Sequence, residues 1–247
     1  MLVHDVDKVF WDHVHKYDAH DPNILKKIVH SFAVANNAFN IACSLGFNQE
    51  DKMFCYIMGL FHDIGRFEQW KLFKAFNDKT TMSHGVLGVK AFKEYIDPQS
   101  LQLSTERAQL LLDTILYHID IYQGDDQNLW KFLEIIHQAD AYSNLLFVAL
   151  GNQDYRQGKD GYTPLMLEKF YKNDKLFKYP IHTKVDRILV SLSNANAIKA
   201  PHLRQNIIER HYFDSIYETY KNHFSPEDQK VIKDAIDYLN RTYKQIC

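Results

Sequence analysis

Between Asp21 and Gly46 the apolar residues Ile24, Ile28, Phe32, Ala35, Phe39 and Ala42 recur every three to four positions. That is the spacing of one face of an α-helix. Strand-type alternation is scarce elsewhere, and nine glycines and six prolines in 247 residues leave the helical runs with few interruptions. An all-α helical bundle is therefore expected.

The breaks are well marked. Asp21-Pro22 supplies an N-cap and a first-turn proline, and Gly46 stands where a C-terminal cap belongs. Asn48 opens the next helix, with Glu50 and Asp51 at the positive end of its dipole. Its apolar face runs through Phe54, Ile57, Met58 and Phe61 to Gly65. Residues 66–82 mix aromatics with lysines and read as less regular. Helices are expected over 83–96, 104–120 and 128–150, separated by Asp97-Pro98 and Gly124-Asp125-Asp126. After a polar break at 151–163, further helices are expected near 164–173, 183–194, 201–222 and 226–243, the last announced by Ser225-Pro226-Glu227-Asp228. The organisation read from this is a helical core over 1–150 and a helical extension over 151–247 packed on it.

Lys and Arg total 29 against 31 Asp and Glu, a net charge of -2, with no block of one sign. Strong electrostatic binding to nucleic acid or an anionic membrane is not indicated, whereas a small phosphorylated substrate needs only a few local charges. The start, MLVHDVDKVF, is acidic and polar, unlike a signal peptide, and no apolar run is long enough to span a bilayer. Cys43, Cys55 and Cys247 lack metal-type spacing. Cys43 and Cys55 fall in apolar helical stretches and read as buried, reduced thiols, which points to the cytoplasm.

Among 13 histidines, His62-Asp63 in GLFHDIGR ends an apolar helix. Alone the dipeptide is weak evidence, since neighbours on a helix point about 100° apart. His30, in KKIVHSFAVAN, lies on the preceding helix. Asp140, in IIHQADAYSNLL, lies on a later one among apolar residues. A carboxylate buried there demands a partner or a metal; a salt bridge or helix cap is the plain alternative. His84, in TMSHGVLGVKAF, opens a helix, and His118, in TILYHID, closes one.

His30, His62-Asp63 and Asp140, each on a separate helix, resemble the defining residues of the HD superfamily of metal-dependent phosphohydrolases. The HDIGR string and the ADAYSNL context agree, and the resemblance covers roughly residues 24 to 150. With His84 and His118 the order becomes H…HD…H…H…D, that of superfamily members with two metals. The resemblance implies that Asp63 bridges, that His30, His62 and Asp140 hold one ion, and that His84 and His118 hold the other. One or two divalent ions are implied (Mn, Fe, Co, Ni, Zn or Mg), since mixed nitrogen and oxygen ligands do not choose among transition metals.

The activity implied is hydrolysis of a phosphate mono- or diester, a phosphodiesterase included, by metal-activated water, with a nucleotide-like substrate commonest in the superfamily. Two other readings stay open: a di-iron oxygenase with the same ligand order, and a non-catalytic HD-type binding scaffold. Arg66 matches the cation that often follows the HD pair and carries a fork of donors suited to phosphate; an exposed helix-end cation is its plain reading. Asp63 and Arg66 are the candidate catalytic groups. Because 67–82 joins two ligand-bearing helices, Lys74 and Asp78 join Arg66 as candidate substrate-binding residues, while Phe67, Trp70, Phe73 and Phe76 read as core packing.

His137, three residues before Asp140, is a candidate donor behind the ligands and stays outside the ligand set. The string DGYTP at 160–164 resembles the GYP element of cyclic-dinucleotide phosphodiesterases but follows Asp140 instead of preceding it, and reads as loop. His4, His13, His15 and His20 read as surface residues of a polar N-terminal segment. His182, His202, His211 and His223 belong to the extension, which can shape the pocket or form a homodimer.

Overall fold

The computed structural model describes residues 3–119, 122–149, 191–192 and 194–244. All regular elements among them are helical, as the periodicity requires. The chain divides into two compact units, Met1–Asp140 and Ala141–Cys247. No helix among the described residues is long and apolar enough to cross a membrane.

The first unit carries α1 (Val3–Val14), α2 (Pro22–Ser44), α3 (Gln49–Phe61), α4 (Gly65–Phe73), α5 (His84–Tyr95), α6 (Thr105–Tyr117) and the start of α7 (Gln127–Ala149). Side chains cap these helices as their sequences foretell. Asp21 accepts from the Asn23 amide, Asn48 from that of Asp51, Ser104 from that of Arg107, and Asp126 from those of Asn128 and Leu129.

The N-terminal segment is not a surface tail. It forms α1, whose Val6, Phe10, His13 and Val14 are buried. Phe10 meets Phe32, Phe61 and Phe67 edge to face at 5.4, 5.7 and 6.0 Å, joining α1 to α2, α3 and α4. Each fully buried ring contributes roughly 1.5–3 kcal/mol by leaving water. The polar letters of this segment mislead because one apolar stripe per two turns is enough to seat a helix.

Three further expectations are corrected. α3 does not run to Gly65: it stops at Phe61, and His62 to Ile64 form a tight turn closed by Ile64 N–H to Phe61 O (3.1 Å) and Arg66 N–H to Asp63 O (2.9 Å). Residues 66–82 are not wholly irregular, since Gly65–Phe73 is the helix α4, ended by Lys74 in the left-handed region at φ 50°. Cys55 is buried but Cys43 is exposed, because it falls on the outer side of α2.

Close helix contacts set the spacing of the bundle. A Cβ on Gly59 would lie 2.7 Å from Ala35 Cα, so α3 presses its backbone against α2. A Cβ on Gly65 would lie 1.9 Å from His84 O and 2.4 Å from Gly88 N, so the start of α4 abuts the start of α5. Arg107 ties α6 to the start of α3, 2.8 Å from Asp51 and over the Phe54 ring.

In the second unit α8 (Pro201–Glu209), α9 (Tyr212–Tyr220) and α10 (Pro226–Lys244) are described. The helix expected over 201–222 is two helices, because His211 turns left-handed at φ 53°. Tyr243 donates to the Ala195 carbonyl and packs edge to face on Phe213, and Arg204 donates to Ile198 O. The break at 151–163 with its DGYTP string, the helix at 164–173, His182 and most of the helix expected over 183–194 lie outside the described residues.

Candidate metal centre

His62 and Asp63 stand side by side in the turn after α3, where His62 keeps near-helical dihedrals at φ -53° and ψ -41°. A long imidazole and a short carboxylate there reach one space. His30 enters from α2, His84 from the first residue of α5, His118 from the residue after α6, and Asp140 from α7. All six side chains named from the sequence meet here. Five are nearly shut off from solvent, at 6% side-chain exposure or less, while Asp140 is 36% exposed.

The two oxygens of Asp63 face different partners. Oδ2 lies 3.7 Å from His30 Nε2 and 3.8 Å from His62 Nε2. Oδ1 lies 3.1 Å from His84 Nε2 and 3.6 Å from His118 Nε2. On the first side, Asp140 Oδ1 is 3.0 Å from His30 Nε2 and 3.9 Å from His62 Nε2. Ligand atoms of His30, His62 and Asp140, and again of His62, Asp63 and His118, fall within 4.8 Å of one another.

The protonation of the rings follows from what stands behind them. His62 Nδ1 donates to the Gly59 carbonyl at 2.7 Å and His118 Nδ1 to the Ile115 carbonyl at 2.9 Å. His84 Nδ1 lies 2.8 Å from Asp78 Oδ1. With Nδ1 carrying the hydrogen in each, the inward Nε2 offers a lone pair. Burial lowers the His62 pKa to about 3 and lowers that of His84 as well, with Arg66 adding to it, which keeps both rings neutral. His84 Nε2 and His118 Nε2 then face each other at 3.1 Å, lone pair to lone pair, beside an Asp63 oxygen. Two nitrogens and an oxygen aimed at one point without a hydrogen between them repel. A divalent cation removes the conflict, and imidazole with carboxylate is a suitable donor set for one.

The carboxylates are held ionised. Burial raises the Asp63 pKa, but the charges around it, the Lys27 ammonium foremost, leave the group well below the usual carboxylate range. Asp140 is shifted the same way, against its burial, by the hydrogen bond from His30 and the charges near it.

The other candidates fall differently. Asp78 Oδ1 takes the His84 ring, the His84 backbone N–H (2.9 Å) and Gln69 Nε2 (3.0 Å), and its Oδ2 lies 3.2 Å from Arg66 Nη2. It is a carboxylate behind a candidate ligand that fixes the ring's tautomer, not a group open to substrate. Arg66 sits beside Asp63, Nε to Oδ1 at 3.5 Å, with its other nitrogens engaged by Gln69 (2.6 Å) and Asp78. Its fork is turned inward. Lys74 is exposed at the end of α4, its ammonium 5.7 Å from the centre of the Trp70 ring. His137 Nε2 lies 3.0 Å from the His118 carbonyl, behind that candidate ligand. Of the four aromatics expected in the core, Phe67 is buried, Trp70 and Phe76 are half-buried and Phe73 is exposed.

Lys27 escaped the sequence reading. Its Nζ is 2.7 Å from Asp63 Oδ2. It stands three residues before His30, and residues at that spacing share a helix face. That relation was available, but a lysine among apolar residues reads more simply as a cation reaching for water. Gln69, which donates to Asp78, Thr81 and Met82 O, gave no chemical signal.

No curated protein and no solved structure shows a significant match to the chain. The family model described as "HD domain" matches residues 28–145, a span that contains all six converging side chains. Over residues 28–145 the chain thus matches the HD domain, the mark of a superfamily to which metal-dependent hydrolases belong, and the clustered histidines and aspartates are consistent with it.

Proposed function

We propose that the protein is a metal-dependent phosphohydrolase that cleaves a phosphate mono- or diester by metal-activated water, with nucleotide-like compounds the first substrates to test. The observation that carries this reading is the division of Asp63 between two groups of imidazoles. It fits a carboxylate bridging two ions, one with His30, His62 and Asp140 and one with His84 and His118. Divalent ions so held lower the pKa of a coordinated water and polarise a phosphoryl oxygen.

Charge favours an anionic substrate. With the imidazoles neutral, as ligation requires, three carboxylates (Asp63, Asp78, Asp140) stand against two cations (Lys27, Arg66). The centre alone is thus slightly negative and attracts cations. Loaded with two divalent ions it becomes strongly positive and suits a phosphate. The buried His30, His62, His84 and His118 exclude bulk water from most of the site.

The test is elemental analysis of the purified protein, followed by a phosphatase and phosphodiesterase screen with Mn²⁺, Co²⁺, Ni²⁺ and Mg²⁺. Asp63→Ala should abolish activity and lower metal content; full activity in that variant would remove the proposal. His84→Ala should lose about half the metal, and unchanged stoichiometry would favour a single ion.

A further inference from the structure

Lys27 lies one residue outside the segment that matches the HD domain, yet its ammonium reaches the middle of the cluster. Asp63 Oδ2 accepts from it at 2.7 Å, and no other acceptor is in reach among the described residues. Its other neighbour is the Phe76 ring, 5.4 Å from Nζ.

That ring is held in place by a chain of contacts. Phe76 packs on Trp70 at 5.1 Å, Trp70 Nε1 donates to Asp21 Oδ2 at 2.7 Å, and Asp21 also caps α2, the helix that carries Lys27. One cap residue therefore fixes both the helix under the lysine and the aromatic wall beside it. The side chain is 18% exposed, so an ammonium has been drawn out of water and set against a carboxylate and a π-face.

Asp63 cannot be the whole of its purpose. Both oxygens of that carboxylate face imidazole nitrogens, and were it shared between two divalent ions it would have little negative charge left for a third cation. The π-face of Phe76 contributes about 0.5–2 kcal/mol and accepts no ordinary hydrogen bond. A partly buried ammonium with three donors then lacks an anion. Arg66 does not compete for the role: its two Nη groups are engaged by Gln69 and Asp78, and its Nε, though without a hydrogen-bond partner, is buried against Asp63 Oδ1 at 3.5 Å.

Resting on the phosphohydrolase reading above, we infer that Lys27 anchors a non-bridging oxygen of the substrate's phosphoryl group at the metal centre. Its side chain is 18% exposed, whereas the unpartnered Nε of Arg66 is buried, so Lys27 is the cation of this site with a donor that a substrate can reach once Asp63 serves the ions. Lys27 thereby takes the part that the sequence suggested for Lys74.

The test compares wild type with Lys27→Met and Lys27→Arg as full-length chains loaded with Mn²⁺, titrated calorimetrically with inorganic phosphate. Metal content is measured on the same samples. Lys27→Met, which keeps the stem and loses the charge, should keep the wild-type metal content and bind phosphate roughly 10- to 100-fold more weakly, the loss of one charge-assisted hydrogen bond. Lys27→Arg should recover part of it. Wild-type phosphate affinity in Lys27→Met with full metal overturns the inference. Loss of metal in Lys27→Met also overturns it, leaving Lys27 as a support for Asp63. A wild type that takes up neither metal nor phosphate fails the phosphohydrolase reading itself, a different result from either.

Discussion

Gly65→Ala tests whether backbone contact between helices sets the metal geometry. A methyl group there would lie 1.9 Å from His84 O, 2.4 Å from Gly88 N and 2.9 Å from Gly88 Cα. All three are backbone atoms of α5, so no side-chain rotation relieves the clash. Carbon contacts settle at about 3.5 Å or more, which requires α5 to move by about 1 Å or more at its first residue. Retreat is blocked on the far side, where a Cβ on Gly85 would already be 2.7 Å from Leu116 O and one on Gly88 2.6 Å from the Ile115 side chain. His84 must therefore shift relative to Asp63 Oδ1, now 3.1 Å away, whereas metal–ligand distances tolerate about 0.2 Å. The ion assigned to His84 and His118 should be lost while the one assigned to His30, His62 and Asp140 stays. Overpacking adds about 1–3 kcal/mol of destabilisation. Gly46→Ala is the control: at φ 72° with nothing near its Cβ, it should cost about 1–2 kcal/mol and leave metal untouched. Metal stoichiometry and thermal melts read both variants. A Gly65→Ala protein with wild-type metal content and melting temperature would refute the reasoning.

Asp78→Ala removes the acceptor behind His84 and should weaken binding of the second ion about 10- to 100-fold, measured by Mn²⁺ titration; unchanged affinity would deny Asp78 its positioning role. His13 is buried at 1% exposure with neither ring nitrogen hydrogen-bonded, among Tyr17, Phe67 and Tyr95. Burial, with a smaller push from Lys16, lowers its pKa to about 4, against about 6.5 unfolded. The unfolded chain thus binds the extra proton first as pH falls, so stability drops between about pH 6.5 and 4 by up to about 3 kcal/mol. His13→Phe should flatten that slope in urea melts run across the window, and an unchanged slope would count against it. Asp21→Ala removes a helix cap and the Trp70 partner together and should cost about 1–3 kcal/mol; Asp21→Asn, which keeps an acceptor, should recover part of it in the same melts.

Helix number and position in the first unit were legible wherever caps and apolar spacing agreed, as at Asp21 and Asn48. Those signals act within one or two turns, so they survive in the letters alone. The six converging side chains were legible for another reason: His30, His62, Asp63, His84, His118 and Asp140 follow an order already tied to one kind of site. The errors came where tertiary contact overrides local pattern. α1 looked polar because burial of one narrow stripe is decided by the helices opposite it, through Phe10 against Phe32, Phe61 and Phe67. The helix through Phe61 looked continuous because the tight turn at His62 to Ile64 depends on α5 packing against Gly65.

The chain's own order of residues determined an all-helical core and named the side chains able to grip a cation, because helix caps, periodicity and residue chemistry are local properties. Only the folded arrangement decided that Asp63 divides its oxygens between two groups of imidazoles. It alone turned Asp78 and Arg66 inward as supports and brought Lys27, not Lys74, to the centre. Those outcomes depend on distances between residues far apart in sequence, set by backbone contacts at Gly59 and Gly65 that no periodicity records.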